Sequence, residues 1–365
     1  MKPEKPAHIR SVAPARTCLF GDHQDYLGLP VIACAIDRHI TLEAFENNKN
    51  VLHVEMPDIK AERSIAIDQQ ISTHEKGDHL MAALVVAGEY GCVPDRGFDV
   101  HISGNIPVNS GISSSSALLV SWVQFLLEVY GSTLPVNNEL IARMAYEAEV
   151  VRQTGPGGKM DQYSIALGNI MYLETGDELS YELIHKALPG LLIAESGIPK
   201  DTIGLLGDLR HKATEAIEIV NAHVTGFNIR KASIKDLPKY LNYLPADHAI
   251  YFEAALKNHD ITQRALKQLR NEKSDPEQLG SLINEHHAVL KNMLKITVPR
   301  IDAMIDSVLE HGALGAKIVG SGGGGSIVVL SKEGKEEELI RCLLDAGAVN
   351  AYTVQVDPGA RIIKK

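Results

Sequence analysis

The segment Pro107-Val-Asn-Ser-Gly-Ile-Ser-Ser-Ser-Ser-Ala117 stands between two stretches of different pattern. Residues 98–103 alternate as a strand does, and residues 113–130 are apolar with helical spacing, so we predict a strand, a loop and a helix opened by serines. The unpaired N–H groups at the start of a helix point at an anion, and the macrodipole favours negative charge there. The sequence therefore predicts a phosphate-binding loop, with a serine-rich cap on a core helix as the alternative.

This loop differs from a Walker A loop, because no Gly-Lys-Ser/Thr follows it and the lysine that normally meets the phosphates is missing. A serine hydroxyl in this place could still reach Mg²⁺ held between phosphates. We expect the following residues of the loop to contact phosphate: Asn109, Ser110, Gly111, Ser113, Ser114 and Ser115.

A polar segment near the start of the chain, residues 16–28, is interpreted as a short loop dense in charge. Arg16 lies upstream of Asp22, His23 and Asp25. Two carboxylates a few residues apart can accept hydrogen bonds from neighbouring sugar hydroxyls, and the histidine can donate one. A solvated acidic turn with a structural arginine explains this segment equally well when it is taken alone.

A glycine-rich bend at residues 154–158 interrupts the predicted helix 137–153 and would expose Asp161. A carboxylate there could take a proton from a hydroxyl nucleophile, while Glu149 on the preceding helix could complete a Mg²⁺ site with Ser115. Taken alone, an aspartate after glycines is more often a turn residue.

Two short apolar runs, 316–319 and 327–330, flank a cluster of glycines and predict paired strands joined by a tight loop. Successive glycines remove side chains from a surface, so backbone that includes Gly322 and Gly323 could close over the phosphates of a nucleotide. A flexible hairpin tip is the alternative interpretation.

Length and composition bound the architecture. With 365 residues and 45% hydrophobic content, the chain exceeds what one core usually sustains. Strand and helix patterns are mixed up to about residue 185, and long amphipathic helices around 201–224, 251–269 and 276–294 follow. We therefore predict two domains, 1–185 and 186–365.

The charge balance excludes several classes of partner. The chain has 36 basic and 46 acidic residues, a formal charge of −10, which is the wrong sign for a nucleic-acid binder. Its four cysteines are scattered, and no apolar run reaches membrane-spanning length. We expect free thiols, a cytoplasmic location, no membrane partner, and a monomer or weak homodimer.

The order of these motifs along the chain resembles that of the GHMP kinases (galactokinase, homoserine kinase, mevalonate kinase, phosphomevalonate kinase). The segments that carry the resemblance are 16–28, 107–117, 159–162 and 315–325. The resemblance implies an α+β fold with an N-terminal domain like ribosomal protein S5 domain 2, a C-terminal ferredoxin-like domain, and an active site in the cleft between them.

Within that family the first segment looks most like the galactokinase branch, in which an arginine precedes Gly-Glu-His-x-Asp-Tyr. The resemblance implies that Asp161 is the catalytic carboxylate and that Arg16 stabilises charge on the transferring phosphoryl group. It further implies ATP and Mg²⁺, and a reaction at a sugar hydroxyl, with the anomeric 1-OH of galactose as the leading candidate. The remaining implied roles are sugar binding by Asp22, His23 and Asp25, and metal binding by Ser115 and Glu149.

Departures from the branch keep other acceptors open. Asp22 stands where galactokinases have glutamate, and residues 195–202 resemble a mevalonate-kinase segment more closely. The alternatives are a kinase for arabinose, a heptose phosphate, a uronic acid or mevalonate, and a non-catalytic sugar and ATP sensor. We expect the adenine contacts to come from residues 51–89.

Overall fold

The computed structural model describes residues 8–67, 71–155, 157–176, 179–199 and 204–364. Its strands are β1 (His8–Phe20), β2 (Val31–Glu46), β3 (Val51–Met56), β4 (Ala61–Ala66), β5 (Phe98–Gly104), β6 (Ile170–Glu174), β7 (Ser180–Ile184), β8 (Leu191–Glu195), β9 (Gly315–Val319), β10 (Ser326–Leu330), β11 (Asn350–Thr353) and β12 (Arg361–Ile362). Its α-helices are α1 (His79–Glu89), α2 (Ser114–Tyr130), α3 (Asn138–Tyr146), α4 (Met160–Leu167), α5 (Gly204–His223), α6 (Leu237–Leu241), α7 (Ala246–Arg270), α8 (Pro276–Asn292), α9 (Pro299–Glu310) and α10 (Glu336–Asp345).

These elements form two sheets. The first has the order β12-β1-β2-β5-β3-β4, with β6 paired to β2 and β7 paired to β6, and the second has the order β11-β8-β10-β9. Helices α2 and α4 pack on β1 and β2, while α8 and α9 pack on β9. The fold is therefore the predicted mixture of helices and sheets, an α+β architecture.

The chain passes from the first sheet to the second between β7 and β8, and β12 returns to the first sheet, where Ser11 and Val12 pair with Ile362 and Arg361. The first sheet thus contains strands from both ends of the described chain. The division at residue 185 stays a prediction, because domains 1–185 and 186–365 were inferred from sequence texture alone.

The interpretation of residues 16–28 as a short loop is wrong at its beginning. Arg16 lies inside β1, which is buried from residue 11 to residue 20 and pairs with β2 along most of its length. The loop starts only after Phe20. A buried strand reads as an apolar run, and here the polar Arg16 and Thr17 interrupt that run.

The prediction that a bend exposes Asp161 is also wrong in its local structure, because Asp161 occupies the first turn of α4. The preceding helix is helical where predicted, but after Tyr146 it changes to a π-helical turn, Glu147–Val151, which contains Glu149. Such turns widen the helix locally and occur frequently at functional sites.

The other predicted elements agree with the structure to within a few residues, and the three long helices correspond to α5, α7 and α8. The start of the first of these, residues 201–203, lies outside the described residues. All four cysteines are free thiols, as expected. None of the helices in the described ranges combines the length and the apolar character that a membrane crossing requires.

Candidate active site

Arg16 and Asp161 form the centre of the site. The guanidinium Nε and Nη2 atoms donate to the two carboxylate oxygens at 2.8 and 2.9 Å, and Nη1 donates to the carbonyl of Gly111 at 2.7 Å. Burial alone would lower the pKa of Arg16, but the charge and hydrogen bonds of Asp161 outweigh it and leave the pKa raised. This planar, two-point contact fixes the orientation of the carboxylate.

Ser113 holds the same carboxylate from a second direction, since its hydroxyl donates to Asp161 Oδ2 at 2.6 Å. Ser113 was predicted to contact phosphate, and the structure directs its hydroxyl to Asp161. The Asp161 side chain keeps 28% of its surface exposed, whereas that of Arg16 is nearly covered. The carboxylate is therefore fixed by two residues and still accessible from outside.

Four residues in the loops around this pair have a strained backbone. His23, Asn109, Ser113 and Thr154 all adopt positive φ angles, between 51° and 65°. The left-handed region costs a residue other than glycine roughly 1–3 kcal/mol, and it persists where the surrounding structure imposes it. Asparagine tolerates this region best, so Asn109 fits its position.

Two cavities meet at the serine loop. A cavity of about 480 Å³ is lined by Arg16, Asp161 and Glu149, and one of about 370 Å³ by Asn109, Ser110, Gly111 and Ser114. Three residues line both cavities: His79, Ser113 and Ser115. The predicted phosphate loop therefore lies between a polar chamber and a second chamber.

The second chamber is mainly apolar. Its aliphatic wall consists of Ile40, Met56, Ile59, Leu80, Ile102, Ile106, Val108 and Leu118, and its polar groups include Asp58, Arg63, Asp78 and His79. An aliphatic wall beside polar groups that can fix orientation suits a planar base. Several of these residues fall within 51–89, the segment from which we predicted the adenine contacts.

The residues predicted for Mg²⁺ line the polar chamber together. Ser115 is exposed, Glu149 is half-buried, and Glu149 Oε2 accepts a hydrogen bond from Gln162 Nε2 at 2.7 Å. No group of three histidine, cysteine, aspartate or glutamate residues within the described ranges could cage a metal ion. A magnesium ion bound through substrate phosphates needs only one or two protein ligands, so a hydroxyl and a carboxylate fit it.

Asp25 and His23 lie in the same chamber. Asp25 Oδ1 accepts the N–H of Tyr26 at 3.0 Å, and His23 Nδ1 lies 3.0 Å from the Tyr26 hydroxyl. Burial, followed by the negative charge of Asp161, raises the pKa of Asp25 to about 6. Burial likewise lowers the pKa of His23, against the opposite effect of Asp22. Both groups therefore favour their neutral forms more than usual.

Gly158 makes room for Asp25. A Cβ atom at this glycine would lie 2.0 Å from Asp25 Oδ2, so only glycine fits there without displacing the carboxylate. Gly158 thus lets the chain pass close to the loop after β1.

Asp22 borders the polar chamber, but its side chain is almost completely buried. Its Oδ2 lies 2.7 Å from Lys317 Nζ, its Oδ1 accepts the N–H of Gly320, and its side chain is only 1% exposed. Burial would raise the pKa of Asp22, but Lys317, His286 and the Gly320 N–H together lower it to about 2. Sequence reasoning missed Lys317, and the available signal was a lysine within the apolar run 316–319.

Gly322 and Gly323 do not line either chamber; they pack against Ile296. The N–H of Gly323 donates to the Ile296 carbonyl at 2.8 Å, and a Cβ at Gly322 would lie 2.5 Å from Ile296 Cβ. Gly320 and Ser321 are the hairpin residues at the polar chamber. Phosphate binding by Gly322 and Gly323 therefore has no support in this geometry.

Comparison with known proteins places this geometry in a family. Three family profiles match separate parts of the chain: the galactokinase galactose-binding signature at residues 3–44, the GHMP kinase N-terminal domain at 78–169 and the GHMP kinase C-terminal domain at 264–349. The predicted sugar, phosphate, catalytic and hairpin segments all lie within these matched ranges. Only part of the predicted adenine segment, the residues before 78, lies outside them.

Individual relatives cover nearly the whole chain. The galactokinase of Thermococcus kodakarensis is 28% identical over 91% of this chain and 92% of its own, and the mevalonate kinase of Thermococcus onnurineus is 27% identical over 97% and 98%. The solved structure of Lactococcus lactis galactokinase complexed with galactose has a TM-score of 0.86 at 20% identity and covers 97% of this chain and 95% of that one. With its two-domain fold and three matching profiles, the chain belongs to the GHMP kinase family.

Proposed function

We propose that this chain transfers the γ-phosphoryl group of ATP to a hydroxyl of a neutral sugar, with the anomeric 1-OH of galactose as the leading candidate. The observation that carries the proposal is the Asp161 carboxylate, which Arg16 and Ser113 hold beside the serines shared by the two chambers. The apolar chamber suits the nucleotide base, and the polar chamber suits the acceptor.

Phosphoryl transfer requires mainly alignment and neutralisation of charge. In our proposal the amides at the start of α2 bind the outer phosphates, and Arg16 stabilises negative charge on the transferring group. Asp161 orients the acceptor hydroxyl and accepts its proton as the new oxygen–phosphorus bond forms. The two partners of the carboxylate keep it in place, so little reorganisation is needed at the moment of reaction.

Mg²⁺ is the cofactor that the proposal requires, and Ser115 and Glu149 are its proposed ligands. When bound, the ion neutralises charge on the phosphate oxygens. The Gln162 amide that bonds to Glu149 orients that carboxylate toward the chamber that also contains Ser115.

Lys76 is a further cation at the phosphates in this proposal. It lines the polar chamber, and no carboxylate within the described ranges forms a salt bridge with it. In sequence it directly precedes Gly77, Asp78 and His79, which line the apolar chamber, so we propose that it reaches the nucleotide phosphates from the polar chamber. It supplies the positive charge that the absent Walker A lysine would otherwise provide.

The acceptor side of the polar chamber favours a neutral molecule. Arg16 is bound to Asp161, and Lys317 is bound to Asp22, while Asp25 adds a further carboxyl group. Among the described residues that line this chamber, Lys76 is the only lysine or arginine outside these ion pairs, and in our proposal it binds the phosphates of ATP. An acceptor with its own carboxylate or phosphate would therefore face mainly acidic groups. A polyol that donates hydroxyl hydrogens matches them better.

Mevalonate is the second candidate, because relatives named mevalonate kinase match this chain over almost its full length. Mevalonate carries a carboxylate, as a uronic acid does, and a heptose phosphate is anionic too. The charge argument therefore ranks all three below galactose and below arabinose, which is also neutral.

A coupled ATP-consumption assay tests the proposal with galactose, arabinose, a uronic acid, a heptose phosphate and mevalonate as acceptors. We expect a neutral sugar to give the highest kcat/KM, at least about tenfold above any anionic acceptor. Fastest turnover of mevalonate would overturn the substrate class. Binding of ATP and sugar without turnover of any acceptor would identify a non-catalytic sensor instead.

A cytoplasmic location and a monomeric or weakly dimeric state remain part of the proposal. The location is inferred from the scattered cysteines, and size-exclusion chromatography with light scattering would test the oligomeric state.

A further inference from the structure

Lys317 is buried completely beneath the polar chamber. Its Nζ lies 2.9 Å from the carbonyl oxygens of Cys18 and Ile318, and 2.7 Å from Asp22 Oδ2. An ammonium group has three N–H donors and no acceptor, so these three oxygens satisfy it. A lysine held in this way is part of the interior and has no donor left for a substrate.

Asp22 is committed to the same interior. Besides Lys317, its Oδ1 accepts the N–H of Gly320 at 3.0 Å, and His286 Nε2 lies 4.0 Å from its Oδ2. Its side chain is all but closed to the chamber. Separating either charge from its partner would leave a buried ion without compensation, which is costly.

The pair connects two segments far apart in sequence. Asp22 follows β1, which carries Arg16, whereas Lys317 lies in β9 and Gly320 begins the glycine-rich hairpin, residues 320–325. The pair therefore ties the start of the hairpin to the strand that bears the catalytic arginine.

The hairpin in turn contacts the phosphate loop. A Cβ atom on Gly111 would lie 3.1 Å from the Val319 carbonyl, and one on Gly325 would lie 3.0 Å from the Ser110 carbonyl. The Gly111 carbonyl also accepts the Arg16 hydrogen bond. A shift of the hairpin would therefore reach the phosphate loop and, through Gly111, the arginine.

We propose that the Asp22–Lys317 ion pair positions the glycine-rich hairpin against the phosphate loop, and that Asp22 is not a ligand of the acceptor sugar. This inference rests on the proposed function of the site. It makes Asp22 and Lys317 positioning residues, which act on nucleotide geometry through backbone contacts, and it leaves His23, Asp25 and Asp161 as the acceptor-side residues.

Steady-state kinetics of Asp22→Asn, Lys317→Met and Asp25→Asn, with ATP and sugar varied separately, tests the inference. We expect both ion-pair variants to lower kcat and raise the KM for ATP by about tenfold, because small misplacements of reacting groups are costly. Their KM for sugar should stay within about twofold of the unmodified chain, whereas Asp25→Asn should raise that KM by about tenfold. A rise in sugar KM for Asp22→Asn alone, with the KM for ATP unchanged, would overturn the inference.

Two further variants keep the test decisive if the single substitutions fail to fold. Lys317→Arg keeps the charge and should recover most of the nucleotide affinity, and Asp22→Leu combined with Lys317→Met removes both buried charges together. An unchanged sugar KM in the double variant supports the inference, and a KM raised by about tenfold contradicts it.

Titration with a fluorescent ATP analogue separates this inference from the proposed reaction. If no acceptor is phosphorylated, the proposed function fails, but weaker analogue binding by Lys317→Met than by an exposed control, Lys49→Met, would still support the role of the pair. Equal binding by these two variants would overturn it.

Discussion

Two ion pairs lie at the same site, and they differ in their access to solvent. In the Arg16–Asp161 pair the carboxylate side chain is 28% exposed, whereas in the Lys317–Asp22 pair the side chains are 0% and 1% exposed. The first pair presents an oriented carboxylate to the chamber. The second joins a loop to a hairpin. In our proposals the same pairing of opposite charges therefore serves chemistry in one case and positioning in the other, and the two pairs differ in burial.

The choice of cation fits each task. The arginine contacts both oxygens of one carboxylate through a planar fork and uses a remaining N–H for a carbonyl. The lysine points its three N–H groups in three directions, to two carbonyls and one carboxylate. The planar guanidinium therefore orients one carboxylate, whereas the ammonium connects several segments of the chain.

Breaking the solvent-accessible Arg16–Asp161 pair, or open pair, should have the largest effect on turnover. We expect Asp161→Asn to lower kcat by about 10³-fold, because the amide accepts a proton poorly, while the affinity for ATP stays within about twofold. Acceptor-dependent ATP turnover and analogue titration measure the two quantities. Asp345→Asn, at the exposed end of α10, is the matched control. Unchanged turnover in Asp161→Asn would remove that residue from the chemistry.

The buried Lys317–Asp22 pair, or closed pair, should affect the stability of the fold in acid. The pKa of Asp22 is lowered from 3.8 to about 2 in the folded chain, so its ionised form stabilises the fold by about 2 kcal/mol above the unfolded pKa. That contribution is lost as the pH falls from about 4 toward 2. Between pH 5 and pH 3, urea unfolding should show a drop in the free energy of unfolding. This drop should be about 1 kcal/mol smaller in the Asp22→Leu, Lys317→Met double variant than in the unmodified chain. An equal loss in both chains would contradict this role of Asp22.

The two lysines of the site offer a sharper contrast. Lys76 lines the polar chamber, whereas Lys317 is fully buried. We expect Lys76→Met to raise the KM for ATP by about tenfold and to leave thermal stability unchanged. Lys317→Met should lower both nucleotide affinity and stability. Scanning calorimetry beside kinetics checks this, and an unaltered KM for ATP in Lys76→Met would exclude its contact with phosphate.

The smallest expected effect concerns Asp25, the neighbour of the open pair. With a pKa of about 6, this group becomes neutral as the pH falls below that value and then accepts fewer hydrogen bonds from a sugar. We expect the kcat/KM for sugar to fall about fourfold between pH 7.5 and pH 5.5. Asp25→Asn, already neutral, should lose this step. An equal fall in kcat/KM in that variant would show that another group causes the pH dependence.

The contrast between the pairs also shows how far sequence reasoning reaches. The residues of the open pair were both identified, because Arg16 and Asp161 stand in motifs of unusual polarity. Their local structures were not predicted. The polar residues interrupt the apolar pattern of the buried strand β1, and the glycines that precede Asp161 favoured a bend over the first turn of α4. Local pattern brought out candidate site residues that the structure places together, but it did not give the elements that carry them.

The closed pair was not predictable in this way. Asp22 was expected to bind sugar, and Lys317 attracted no role, because their contact depends on how β9 packs beneath the loop after β1. The same holds for Gly323, whose N–H is used by Ile296 from a distant part of the chain. Partners distant in sequence and the burial of a single lysine are properties of tertiary packing, which no local window contains.

The return of β12 to the first sheet has a consequence for biosynthesis. Arg361 and Ile362 pair with the strand that bears Arg16, and Asp357 contacts His39 and Arg361 in the same region. A ribosome makes these residues after every other strand of the sheet, so the edge beside β1 stays uncovered until they emerge. A nascent chain, or one shortened by a protease before Asp357, would leave that edge open to pairing with another strand.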